Sequence, residues 1–560
     1  MSDKKNYFFE NIRPSFNKLK TSKIKFKDSN DIINSDKNDQ IVLFAKNLNC
    51  ILLIFTSLFF FYIFFKVYYL TINFESTANS IKEVKLKRGK IFDRNGILLA
   101  TNLPTYDLYI NTRKLIDEAK VKVEIKEIFK KSSNFLNFVF SKDQYILIKS
   151  NLTQVEINRV KEIGDPSLIF EKSQKRIYPQ HNLFSHVTGF LTKFYEPKSK
   201  LEKNLNHKLS SGGDIKISLD IKIQSIVHDE LLKSMKKYEA NSALALVMNV
   251  KNGEILSMVS LPDFDPNYPE KIKAYSENNL VTEARYEMGS TLKIFNAALA
   301  YEINSSVINN IFDVEFPYQI TTNKNIVDEI KGEKKINFDD IFIKSSNIGS
   351  IKLLESIGFK EQISFFERIG LTDDVKIPGL NIVSNNLPNY WNETASKFIS
   401  FGYGISISPI SLASSFSTLV NGGFKIQPTI FLDQNNFKKP ILKYETSEKI
   451  NILLQKIVEN GTGKKARVSG LKVGGKTGTS EKIVEGNYNH EKVITSFIGV
   501  FPINNPKYLT LVLFDEPKRK SERFLEYFGG DTAAPTFSKI VQKISPILNI
   551  ENYLKNLAVN

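Results

Sequence analysis

The chain of 560 residues holds a single cysteine, Cys50, and five histidines, at 181, 186, 207, 228 and 490. One cysteine excludes a disulfide framework, a zinc ribbon and a paired-cysteine redox motif. The histidines fall at no metal-ligand spacing, so the sequence points away from a metalloenzyme, and no cofactor is implied. A recognition module for DNA or RNA is also missing. The net charge of +17 comes from lysines spread along the whole chain, which argues for an ordinary solvated surface and against a nucleic-acid partner. There is no internal repeat and only one long hydrophobic run. With 42 % hydrophobic and 24 % charged residues, the composition is that of a globular protein of several domains.

That one run is residues 50–65, CILLIFTSLFFFYIFF, which carry no charge. Extended to residues 47–70 it reaches ~30 Å as a helix, enough to span a hydrocarbon core. Lys46 and Lys66 can snorkel from its ends, and Tyr68 and Tyr69 suit the headgroup region. Ser76-Thr77-Ala78 would pass as a signal-peptide cleavage site, but residues 1–46 are far too long for the leading region of a signal peptide. The expectation is an uncleaved anchor. Charge does not orient it. Within about twenty residues of the span, Lys27, Lys37 and Lys46 precede it, whereas Lys66, Lys82, Lys85, Lys87, Arg88 and Lys90 follow it.

Beyond the anchor, residues 84–110 read as short strands around a turn at Asn95-Gly96, and residues 111–175 as Lys-rich with helical periodicity. The polar stretch Glu196 to Gly213 reads as a domain boundary. Ile223, Ile226, Val227, Leu231, Met235 and Tyr238 recur at helical spacing. Residues 243–250 and 254–259 flank Asn252-Gly253 as a hairpin. Residues 492–500 and 508–514 read as strands, and 535–548 as a closing helix. Helices with antiparallel strands give an α+β multidomain fold.

Three short motifs carry chemistry. Ser290-Thr291-Leu292-Lys293 leads into IFNAALAYEI, apolar almost all round, as a buried central helix would be. The spacing puts Lys293 on the helical face of Ser290, where it could take the serine proton once burial or a neighbouring cation lowers its pKa. The first turn would also offer unpaired backbone N–H groups to an oxyanion. Ser345-Ser346-Asn347 supplies a hydroxyl and an amide for proton relay and peptide binding. Lys476-Thr477-Gly478-Thr479 offers a cation and hydroxyls to a carboxylate, with Gly478 expected to let a substrate backbone approach closely. Each motif alone is weak. Ser-x-x-Lys recurs at Ser15/Lys18, Ser22/Lys25 and Ser234/Lys237, and Ser-x-Asn at Ser132-Ser133-Asn134 and Ser384-Asn385-Asn386.

Together and in this order, the three are the signature set of penicillin-binding proteins and serine β-lactamases. The chain resembles the class B penicillin-binding proteins, and among them the division-specific peptidoglycan D,D-transpeptidases of the FtsI type. The resemblance runs from the anchor almost to the end. It includes Arg88 to Gly96, Arg176-Ile177-Tyr178-Pro179, His186 to Gly189, Gly253 to Leu256, Pro262 to Asn267, Gly402-Tyr403-Gly404 to Gly423, Asp515-Glu516-Pro517 and Gly529 to Pro535. One departure is Lys200-Leu201-Glu202, where the family has Gly-Leu-Glu.

The resemblance implies a cytoplasmic tail (residues 1–46), an inner-membrane anchor (47–70), a β-rich pedestal or dimerisation-like domain (71–212), a periplasmic transpeptidase domain with an antiparallel sheet and helices (213–550), and a C-terminal tail (551–560). It implies that Ser290 is acylated by the D-Ala-D-Ala donor of a stem peptide, with Lys293 as base and Ser345 relaying protons. Asn347, Lys476, Thr477, Gly478 and Thr479 would bind the peptide and its carboxylate, and the N–H groups of Ser290 and Thr479 would form the oxyanion hole. A second stem peptide's amine would accept the acyl group, and β-lactams would trap Ser290. Implied partners are an FtsW-like glycan polymerase and other division proteins.

Rival readings exist. Gly470 to Thr477 fits the phosphate-loop pattern G-x-x-x-x-G-K-[ST], and Leu511 to Glu516 mimics an acidic magnesium strand. Such a loop needs a strand before it and a helix after it, whereas Gly461–Ser469 is polar and Glu481–Glu491 has no helical stripe. A secreted β-lactamase would need neither anchor nor pedestal. An elongation-specific class B transpeptidase is the nearest alternative, and a penicillin-sensing or inactive scaffold protein is the non-enzyme one.

Overall fold

The structure, a computed structural model, describes residues 51–69, 88–141, 144–303, 306–322, 324–329, 332–432, 439–518 and 528–550. Both tails, Ser15/Lys18, Ser22/Lys25 and Ser76-Thr77-Ala78 lie outside them. The chain divides into two units, Met1–Val84 and Lys85–Asn560. In the first, Ile51–Tyr69 form one α-helix whose side chains are all exposed, and by length and composition it can cross a membrane.

The second unit begins with a sheet organised on one long strand, Leu98–Asn111. It pairs antiparallel with Leu168–Ile177, Tyr145–Lys149 and Ile91–Phe92. The turn at Asn95-Gly96 forms as expected because buried Asp93 accepts the N–H groups of Asn95 (2.8 Å) and Ile97 (2.7 Å). Ile215–Lys216 closes this sheet by pairing parallel to Ile91–Phe92, so the sheet draws a strand from beyond residue 212. In residues 111–175 the helical periodicity is real in Glu118–Phe129, Ser133–Phe140 and Gln154–Ile163, but two strands alternate with these helices. Val121, Ile125, Leu136, Val139 and Val160 cover one sheet face with Leu108, Ile110 and Ile148.

The polar stretch 196–213 is folded and in part buried. Lys200–Asn204 and Asn206–Ser210 are short helices, and Glu202 is fully buried between Arg88 and Arg176. Arg88 Nε (2.7 Å), Arg176 Nε (2.7 Å) and Tyr178 OH (3.2 Å) all donate to its carboxylate. Polarity suggested exposure, but charges that satisfy one another can be buried. Lys200 keeps the left-handed backbone (φ 52°) that the family's glycine would adopt, and its ammonium pairs with Glu283.

The rest is built on a five-stranded antiparallel sheet in the order 474–484, 487–501, 508–515, 242–249, 255–261. Strand side chains alternate between two cores. Leu244, Leu246 and Met248 face one, with helices Lys293–Glu302, Pro409–Val420 and Tyr444–Asn460; Ala243, Ala245 and Val247 face the other, with Ile221–Lys237 and Ala533–Ile544. Both faces are therefore covered, which explains the near-continuous apolar strands. Gly474–Val484 lies at one end of the sheet and carries the Lys-Thr-Gly motif.

Candidate active site

Ser290 sits in a single 3₁₀ turn, Gly289–Leu292, that runs directly into the α-helix Lys293–Glu302. The expected α-helical first turn is thus tighter than an α-helix. Gly289 is required there: its φ is 52°, and a Cβ would stand 2.3 Å from Thr479 O. Gly478 is crowded from the same side, since a Cβ would meet Met288 O at 2.7 Å and Ser496 Oγ at 2.3 Å. Its smallness therefore seats the end strand against the nucleophile turn.

Ser345 joins helix Phe338–Ile343 to helix Asn347–Ile357 and holds φ at 62°, unusual for a side chain with a Cβ. The strain is over-determined by its neighbours. Ser346 caps the second helix by accepting Gly349 N–H at 2.8 Å. Asp328 accepts the N–H groups of Asn347 (2.6 Å) and Ile348 (3.0 Å) and the hydroxyl of Ser346 (2.5 Å). Nothing local in the sequence marks Asp328 for this role.

The motifs meet around Ser345. Lys293 Nζ donates to Ser345 O (2.5 Å), to Asn347 Oδ1 (2.7 Å) and, at 3.4 Å, to Ser345 Oγ. Lys476 Nζ donates to Ser345 Oγ and Thr477 O, both at 3.0 Å. Each lysine is 0 % exposed. Ser290, Ser345, Asn347, Thr477 and Thr479 line one open cleft of about 330 Å³. Lys476 is fully buried and bonded to Ser345, and Thr479 Oγ1 accepts Gly529 N–H at 3.1 Å. Thr462, Glu329, Tyr403 and Phe528 are also part of the lining. Thr462 bonds Thr477 Oγ1 at 2.8 Å; its Gly461-Thr462-Gly463 setting reads only as a turn.

The look-alike motifs do other work. Ser234 is buried on the helix Ile221–Lys237, Ser132 caps Ser133–Phe140, and Asn385 accepts Ser408 N–H at 3.1 Å. The phosphate-loop match fails too, because Lys476 and Thr477 lie within a β-strand with no helix following.

Burial pulls Lys293 from 10.5 to about 7, against the opposing pull of the Asp328 and Glu329 carboxylates. Lys476 is held well below its ordinary value by burial and then by repulsion from Lys293. Among the described residues no carboxylate forms an ion pair with either lysine. An ammonium with a pKa near neutrality can take and return a proton within one catalytic cycle. Ser290 lines the cleft, and its hydroxyl has no hydrogen-bond partner among the described residues.

A free serine, a buried lysine able to act as base and a hydroxyl bridging it to a second lysine define a serine acyl-transfer site. The family model described as the penicillin-binding protein transpeptidase domain matches residues 243–542, and that of the penicillin-binding protein dimerisation domain matches 83–215. The chain belongs to the penicillin-binding proteins. It is 30 % identical to a Caulobacter vibrioides protein named "Probable peptidoglycan D,D-transpeptidase FtsI", over 83 % of this chain and 82 % of the relative. It is 28 % identical to stage V sporulation protein D of Bacillus subtilis, over 83 % and 79 %. Penicillin-binding protein 3 of Mycobacterium tuberculosis, solved with aztreonam, shares the fold with a TM-score of 0.65 at 20 % identity, over 83 % of this chain and 96 % of that one.

Proposed function

We propose that the chain is a peptidoglycan D,D-transpeptidase that crosslinks stem peptides through an acyl-Ser290 intermediate. The observation that carries this reading is the convergence of two fully buried lysines on Ser345 Oγ beside a free Ser290. Lys293 takes the Ser290 proton as Oγ bonds to the penultimate D-Ala carbonyl. The N–H groups of Ser290 and Thr479 hold the oxyanion, and Ser345 passes the proton to the departing D-Ala amine. Thr477 and Thr479 bind the donor carboxylate, supported from behind by Lys476, while Asn347 positions the peptide. A second stem peptide's amine then displaces Ser290. β-Lactams mimic the donor and stop at the acyl-enzyme.

The resemblance to septal enzymes supports a role in division, beside an FtsW-like polymerase and other division proteins, with the N-terminus cytoplasmic and the catalytic domain periplasmic. The pedestal is taken as residues 71–212 and the transpeptidase domain as 213–550. A fluorescent penicillin should label the protein covalently, with mass spectrometry placing the adduct on Ser290. An adduct on Ser234 or labelling of Ser290→Ala would refute the assignment. Depletion should give filaments with blocked septa; rounded cells that still divide would favour elongation.

A further inference from the structure

The second half of this reaction has a proton that the three motifs do not account for. The acceptor arrives as an ammonium, since a primary alkylamine has a pKa of ~10.4. Its nitrogen forms a bond to the acyl carbon as the ester bond to Ser290 Oγ breaks, and in doing so it sheds two protons. One ends on Ser290 Oγ through Lys293. The other needs a second acceptor that the incoming nitrogen can reach.

Four carboxylates line the cleft: Asp328, Glu329, Glu333 and Asp531. Three are engaged. Asp328 holds the turn after Ser345, Glu333 pairs with Lys344 at 2.8 Å, and Asp531 pairs with Lys465 at 2.7 Å. Of these four, Glu329 alone has neither a hydrogen bond nor an ion pair among the described residues. It also occupies a junction. A second groove of about 730 Å³ shares Glu329, Tyr403, Thr479 and Phe528 with the Ser290 cleft, and of these four only Glu329 carries a charge. An amine entering by that groove meets Glu329 before it meets the ester.

We propose that Glu329 receives the acceptor ammonium and takes the first of its two protons before the nitrogen attacks acyl-Ser290. This inference rests on the transpeptidase reading above. Asp328 on its own segment, Lys293 from the nucleophile helix, Lys476 and Glu481 from the end strand and Tyr403 all act on it electrostatically. Its side chain is open to the cleft, and desolvation there raises its carboxyl above the usual carboxylate range while the two lysines oppose that rise, which strengthens it as a base. Lys476 does not line the second groove, so an ammonium entering there reaches Glu329 and not Lys476. Water needs no such proton acceptor, so Glu329 favours aminolysis over hydrolysis.

The test uses the full chain in detergent, an N-acyl-D-alanine thioester as donor and Nα-acetyl-lysine as acceptor. Glu329→Gln should still be acylated by penicillin within a few-fold of wild type, while amide formation at pH 7 falls by ~10²-fold. The deficit should close as pH rises towards the pKa of the amine, and Glu329→Asp should restore part of the rate. Equal amide formation by Glu329→Gln across pH 6–9 would overturn the proposal. So would loss of penicillin labelling in this variant, because Glu329 would then serve the first half-reaction. Failure of the wild type to form a Ser290 adduct strikes the transpeptidase reading itself, a separate outcome.

Discussion

Two groups of buried charge sit in the second unit, and they are built on opposite rules. Around Glu202 the cations are arginines, Arg88 and Arg176, and the carboxylate between them accepts hydrogen bonds from both. Around Ser345 the cations are lysines, fully buried, with neutral oxygens as their hydrogen-bond partners. A guanidinium keeps its charge when buried and so must be paired; an ammonium can give up its proton instead. Where the protein needs a fixed knot it uses arginine with a carboxylate. Where it needs a proton to move it buries lysine without one.

Several substitutions would break or sharpen this contrast. The largest effect is expected at Lys293→Arg, which puts the rule of one cluster into the other. The guanidinium cannot accept the serine proton, and acylation by penicillin should slow by at least ~10²–10⁴-fold, measured as the second-order rate of adduct formation. Glu202→Ala does the converse damage. It strands the buried Arg176 guanidinium and the half-buried one of Arg88, and should cost ~3–5 kcal/mol of stability, seen as a lower Tm, while the folded fraction still acylates at near wild-type rate. Retention of the full Tm would show that the knot is not structural.

Lys293→Met separates stability from activity. Removing a lysine that burial disfavours should leave Tm unchanged or raised even as acylation is lost; a loss comparable to that of Glu202→Ala would contradict the contrast. The pH profile gives a smaller signal. With neutral Lys293 as the proposed base, acylation should rise with pH through about 7 and level off above it. The Glu329 carboxylate stabilises the protonated form, so Glu329→Gln should move this limb to lower pH. A limb left in place would remove Glu329 from the electrostatics of Lys293. The smallest effect is expected at Lys200→Gly. Relief of the left-handed φ and loss of the pairing with Glu283 should offset each other to within about 1 kcal/mol of unfolding free energy.

Much was legible in the sequence for reasons that are local. An uncharged apolar run long enough to span a bilayer declares itself, because hydrophobic length is additive along the chain. The Asn252-Gly253 hairpin, the helix Ile221–Lys237 and the strands of the central sheet followed from turn chemistry and periodicity. The order of the three motifs identified Ser290, Lys293, Ser345 and Lys476 as a set, since chemistry restricts residue type more tightly than packing does. What lay beyond the sequence depended on long-range contact. The burial of Glu202 within residues 196–213 carries no local signal, because the partners that satisfy it, Arg88 and Arg176, lie outside that stretch. Asp328 carries no local signal, yet it fixes the turn after Ser345. The depressed pKa of Lys293 is a property of its burial, which the helix, the end strand and the Ser345 loop create only when they close together. Residue types chose the chemistry; the tertiary fold decided which lysine loses its charge, because desolvation belongs to an enclosed volume and not to a stretch of chain.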